Sequence, residues 1–196
     1  MVLSDQALRI HRETKDRASE FACLTAVSTA RREEGQAELA LVLTQKTLDI
    51  AHELDLAVYE GFAHLELGRV RAMLHHHEEA LAHFHQAASV HRSIDEHVRE
   101  AESFEGVGEV HQALERPDEA VRFFRQAANG YRRHGARWNP AICLDRLATV
   151  LEASGEHGSA LEHRREALAA LDGFTDPRAE RLREQITAHA PDGTTS

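Results

Sequence analysis

Apolar side chains at Val58, Phe62, Leu65, Leu67, Val70 and Leu74 recur at the spacing of one helix face, with polar and charged residues between them. His75 to His77 interrupt that stripe, and Ala80, Leu81, Phe84, Ala87, Ala88 and Val90 resume it. The alternation returns forty residues on, as Val98, Ala101, Phe104, Val107, Val110 and Leu114. A turn at Arg116-Pro117-Asp118 follows, then Ala120, Val121, Phe124, Ala127 and Tyr131. Pro117 suits the first position of a helix, where a missing N–H forfeits no hydrogen bond. Each stripe predicts a helix, and each forty-residue stretch predicts a helix pair.

The register extends along the chain. Ala40, Ala80, Ala120 and Ala160 stand forty residues apart, and Ser28, Gly68, Gly108 and Ala148 precede them by twelve. Ala87-Ala88, Ala127-Ala128 and Ala167-Leu168 follow at offsets seven and eight. A fixed period of this size signals stacked repeats, none of which could bury its apolar face alone. The predicted repeats cover residues 16–55, 56–95, 96–135 and 136–173, the first broken at Gly35 and the fourth at Gly155 and Gly158. Ser4 can cap a helix holding Ala7, Leu8 and Ile10, so residues 1–15 read as the second half of a cut repeat. Asp176-Pro177 opens a capping helix within residues 174–189, carrying Leu182 and Ile186. Residues 190–196 are small and polar and are expected to be disordered. The predicted fold class is all-α, a right-handed superhelical solenoid of antiparallel helix pairs running as a single array over residues 1–190. A cut repeat leaves an apolar face open, which implies either a longer parent chain or a homo-oligomer formed through residues 1–15.

Composition narrows the function. Only 5% of residues are aromatic, so the interior must rest on Leu, Val and Ala, which suits helix packed on helix. Acidic residues outnumber basic ones 33 to 23, and the formal charge of −10 argues against direct nucleic-acid binding. No apolar run reaches membrane-spanning length and no signal-like segment opens the chain, so a cytoplasmic setting without membrane contact is expected. Cys23 and Cys143 occupy matching places three periods apart and read as small packing residues. No phosphate-binding loop or nucleophile turn is present, so neither an enzyme nor a cofactor is expected. His75, His76, His77, His83 and His85 resemble a metal cluster by composition only. Consecutive residues at a turn diverge, and His83 and His85 face apart on a helix, so no metal site is expected. His64 and His111 fall at core register, and buried neutral imidazoles would make the fold weaken in acid.

Leu67-Gly68, Ala80, Phe84 and Ala87, with Val107-Gly108, Ala120, Phe124 and Ala127, follow the spacing of the tetratricopeptide repeat, which the chain resembles over nearly its whole length. On this spacing Gly68 and Ala80 let paired helices approach, while Phe84 is expected to fill the space between units. The consensus tryptophan place holds Leu24, His64, Phe104 and Leu144, and the consensus tyrosine place holds Arg31, Arg71, His111 and Leu151. His52, Arg92, Arg132 and Asp172 replace the terminating proline, and Thr44 replaces the aromatic of the first repeat. The Ala- and Arg-rich composition and the stretch from Ala167 to Leu182 are also similar to the repeat arrays that close actinobacterial antibiotic-regulatory transcriptional activators.

The resemblance implies a concave groove lined by the first helix of each pair. Its walls would be Thr25, Thr29 and Arg32, then Leu65 and Arg69 with Met73, then Glu102, Glu105, Glu109 and Gln112, and last Asp145, Thr149 and Glu152. Glu102, Glu105 and Glu109 share one helix face, so the groove is expected to be acidic toward the carboxy-terminal half and basic near Arg32 and Arg69. The partner implied is a protein or peptide carrying a basic segment, in the sensing or docking part of a bacterial regulatory system. The family's clamp for a terminal carboxylate uses Lys and Asn, and Thr25, Thr29, Leu65, Arg69, Glu105 and Glu109 in the matching places argue against that mode. A small-molecule sensor in the same groove and a self-associating scaffold are the alternatives.

Overall fold

The computed structural model describes residues 16–189, and among them every regular element is an α-helix. The half repeat expected at residues 1–15 and the tail at 190–196 lie outside the described residues. One compact unit ends at Glu96 and holds α1 (Arg17–Glu33), α2 (Ala37–Leu54), α3 (Ala57–Met73) and α4 (His77–Ser93). The second begins at His97 and holds α5 (His97–Ala113), α6 (Pro117–Arg133), α7 (Asn139–Ala153), α8 (His157–Ala169) and α9 (Pro177–His189). Within each unit successive helices pack on one another, α1 to α4 in the first and α5 to α9 in the second.

Helix ends follow a beat of twenty residues. Gly35, Asp55, His75, Asp95, Glu115, Gly135 and Gly155 all take positive φ. At each, the next N–H returns to a carbonyl of the last turn, as in His76 N to Arg71 O at 2.9 Å, Arg116 N to His111 O at 3.0 Å and Glu156 N to Leu151 O at 2.8 Å. This motif satisfies carbonyls that the helix end would orphan, and it reverses the chain within a few residues. A glycine takes the left-handed conformation freely, whereas Glu115 holds it at a cost on the order of 1 kcal/mol. Gly158, read from sequence as a second break, lies inside α8. Helix starts are chemically marked in places. The Asp16 carboxylate accepts the Ser19 N–H at 3.1 Å, and Asp176 accepts those of Arg178 and Ala179 at 3.1 and 3.2 Å.

The small residues of the register set how closely paired helices approach. A Cβ on Gly68 would stand 2.7 Å from the Phe84 ring, and one on Gly108 would stand 2.8 Å from the Phe124 ring. Each ring therefore lies directly on bare backbone of its own partner helix. Sequence spacing had placed Phe84 between units; the ring instead sits inside the α3–α4 pair. The outer pairs solve the same position with polar groups. Ser28 donates to the Ala40 carbonyl at 3.1 Å and lies 2.5 Å from the Thr44 hydroxyl. In the last pair the register puts Arg164, a side chain only 3% exposed, where Phe84 and Phe124 stand in theirs. Phe21, Leu24, Leu48, Ile50, Ala63 and Leu67 complete the first core, and Tyr131, Leu144, Leu147, Leu171 and Ile186 anchor the second.

Candidate binding surface

In the first unit the residues expected to wall a groove separate into two kinds. Thr25 and Thr29 are half-buried, and the Thr25 hydroxyl donates to the Phe21 carbonyl at 2.9 Å. Leu65 is 1% exposed and belongs to the interior. Its helix is covered from two sides, by α2 and α4, so residues 63 to 68 are buried without interruption. Arg32 and Arg69 do not form a free basic patch. Arg32 Nε lies 3.2 Å from one oxygen of Glu66 and Arg69 Nη1 lies 2.5 Å from the other, so one buried carboxylate ties α1 to α3.

The second unit compensates its carboxylates in the same way. Arg99 holds Glu102 at 2.6 Å. Arg146 reaches Glu105 at 3.0 Å and also binds Glu109, joining α7 to α5. The Tyr131 hydroxyl donates to Glu105 at 2.7 Å. Burial pushes the Glu105 carboxyl above its ordinary range, against the pull of Arg146 and the Tyr131 hydrogen bond. Burial also raises Tyr131, with the Glu105 charge adding to the effect. Arg164 Nη2 lies 2.6 Å from Glu152, and its Nε lies 3.7 Å from Asp145. The hydrogen bond from Arg164 holds the Glu152 carboxyl below its usual range. His189 stands 3.0 Å from the other Asp145 oxygen. The acidic face expected from Glu102, Glu105, Glu109, Asp145 and Glu152 is thus laced with three arginines: Arg99 on the same helix as Glu102, Arg146 shared by Glu105 and Glu109, and Arg164 shared by Asp145 and Glu152.

Three of the expected residues do converge on open space. Gln112, Asp145 and Thr149 line a cavity of about 510 Å³ together with Ile142, Arg178 and Leu182. Arg146, Arg181, Gln185 and His189 complete its wall. The lining is mixed, with Ile142 and Leu182 apolar and most of the rest hydrogen-bond donors. Arg146, Arg164 and Glu66 were missed by sequence reasoning. Only Arg164 left a signal, since forty residues after Phe124 falls a core position, and a buried arginine requires carboxylates.

Two histidines meet in the first unit. His64 Nδ1 and His83 Nδ1 are 3.0 Å apart, and Glu60 lies 3.8 Å from His64 Nε2. Burial lowers His64 to about 4, and the His83 and His52 charges push it the same way. Burial and Arg71 also lower His83, while Glu79 opposes them. An unfolded histidine titrates near 6.5, so below that pH the unfolded chain takes up a proton that folded His64 refuses. Stability is therefore expected to fall as pH drops from about 6.5 toward 4, by about 2 kcal/mol at pH 5 from His64. Urea midpoints compared between the native chain and His64→Phe measure this. Equal losses in both proteins would show that another group is responsible. Among the described residues no group of three or more His, Cys, Asp or Glu is arranged to hold a metal ion, and no helix is long and apolar enough to cross a membrane.

Comparison with known proteins bears on the fold. Residues 59–133 match the tetratricopeptide repeat family. No curated protein matches the sequence. BtubC from P. vanneervenii is similar in structure at 14% identity with a TM-score of 0.76, over all of this chain and 94% of that one. A Rap protein in complex with Competence and Sporulation Factor is similar at 15% identity and a TM-score of 0.75. That match covers 92% of this chain but only 61% of the Rap protein. TPR-like repeats from Podospora anserina, assigned to a kinesin light chain, are similar at 17% identity and a TM-score of 0.66, covering 86% of this chain and 94% of that one. The chain has the all-α helix-pair fold of tetratricopeptide-like solenoids, and its residues 59–133 carry that repeat in sequence.

Proposed function

We propose that this chain is a docking module that takes a protein or peptide segment into the cavity bounded by α7 and α9, as the sensing or docking part of a bacterial regulatory system. The observation that carries this reading is the convergence of Gln112, Asp145 and Thr149 on about 510 Å³ of open space. Ile142 and Leu182 offer apolar contact there, while Arg178, Arg181 and Gln185 offer donors to carbonyl or carboxylate oxygens. A repeat scaffold suits this role because its helices are held by their neighbours and so present side chains with little ordering cost. The similar Rap structure, which holds a bound factor, supports the reading. A displayed peptide library panned against the full chain tests it. Enriched peptides should bind at micromolar Kd or better, and Thr149→Phe, which fills the cavity from an exposed position, should weaken them about tenfold or more without changing the thermal melt. Failure to enrich any peptide would sink the docking reading. Equal binding to the variant would remove this cavity as the site, and a metabolite that raises Tm where no peptide binds would favour a small-molecule sensor.

A further inference from the structure

A second cleft, of about 440 Å³, lies in the same unit between α5 and α6. Its floor is apolar and tight: a Cβ on Gly130 would stand 2.9 Å from the Ala101 Cβ, and Phe104 closes one side. Along α6 its wall is formed by Arg122, Arg125, Gln126, Asn129 and Arg133. Those positions are three, four, seven and eleven residues from the first, which is a single helix stripe about 16 Å long. All five side chains are exposed.

The stripe is a run of positive charge. Some arginines of the unit are committed to carboxylates, as Arg99 is to Glu102, Arg132 to Glu166, and Arg164 to Glu152. Arg125 and Arg133 have no ion pair among the described residues, and Arg122 lies over the Phe123 ring at 4.6 Å. The single acidic residue of the lining, Glu100, stands 3.3 Å from the His97 imidazole. In a chain of net charge −10, three guanidiniums are thus lined up along one open cleft.

We infer that this α5–α6 cleft docks an acidic protein segment, its carboxylates spaced along the helix stripe so that each meets a guanidinium. Guanidinium binds carboxylate through two parallel hydrogen bonds, and Gln126 and Asn129 between the arginines can pair with the segment's own backbone amides. A single small anion would engage only one end of so long a stripe. Nucleic acid would meet the repulsion of the chain's overall negative charge.

Fluorescence anisotropy with a labelled alternating Glu/Ala peptide and the full chain tests the inference. Binding should weaken steeply with salt and should be absent for the matching Gln/Ala peptide. Arg125→Glu/Arg133→Glu should lower affinity about tenfold or more, whereas Arg116→Glu/Arg165→Glu, with the same change in charge at exposed positions outside the cleft, should not. Circular dichroism melts of both double variants check that the fold is retained. Equal losses in the two variants would reduce the effect to bulk charge and overturn the inference. So would tighter binding of a single-stranded oligonucleotide, full competition by millimolar inorganic phosphate, or loss of the Glu/Ala peptide on Thr149→Phe, which alters only the other cavity.

Discussion

Truncating Phe124 to alanine is expected to destabilise the protein by about 3–5 kcal/mol, the range for emptying a buried aromatic site. The ring is fully buried and lies against the bare backbone of Gly108, so no small shift of either helix can refill the space. Urea denaturation measures the loss, and hydrogen exchange on α5 and α6 locates it. A double-mutant cycle makes the claim sharper. Alone, Gly108→Ala puts a methyl carbon 2.8 Å from the ring and should cost stability. In the Phe124→Ala background the same methyl enters empty space, and helix propensity should make the change favourable by up to about 1 kcal/mol. Equal effects in the two backgrounds would mean that the ring and the glycine do not determine each other.

Replacing Arg164 with methionine is expected to cost about 3 kcal/mol, because it strips the cation from a buried ion pair. Arg164 is 3% exposed, and the Asp145 carboxylate that it leaves behind is itself mostly buried. Adding Asp145→Asn to the methionine variant should recover part of the loss, since an amide in place of the charge removes the uncompensated anion. The Glu152 carboxyl, which Arg164 now holds below its ordinary range, should titrate in that range in the variant, as followed by carbon-detected NMR. A loss well under about 1 kcal/mol would place the pair with surface ion pairs and end the argument for a buried tie between α7 and α8.

These two residues share one register, and they show what could be read from the chain and what could not. Ala40, Ala80, Ala120 and Ala160 are all essentially inaccessible, so the period written in them was the period of the core. Helix pairing was legible for the same reason, because contact between close helices is recorded locally as glycine and alanine. The register marked Thr44 and Arg164 as the counterparts of Phe84 and Phe124, but it could not reveal their partners, the Ser28 hydroxyl for Thr44 and the Glu152 and Asp145 carboxylates for Arg164. The charged surface was less legible still. Glu109 meets Arg146 and Glu66 meets Arg32 across more than thirty residues of sequence, so a face that looks acidic along one helix is neutralised by another. Leu65 was misplaced because the helices on both sides of α3 cover it along residues 63 to 68. The turns were half-hidden, since Asp55, His75, Asp95 and Glu115 adopt a conformation that sequence usually announces with glycine.

The regular left-handed joints carry a consequence for how such a chain can change in length. A whole forty-residue cassette spliced in at Gly135 or Glu115 would leave every downstream helix in phase, since it begins and ends on the same joint. One extra residue inside a helix would instead rotate all that follows by about 100° and turn buried alanines toward water. Growth and loss in this lineage should therefore come in complete cassettes, with single insertions confined to the joints themselves.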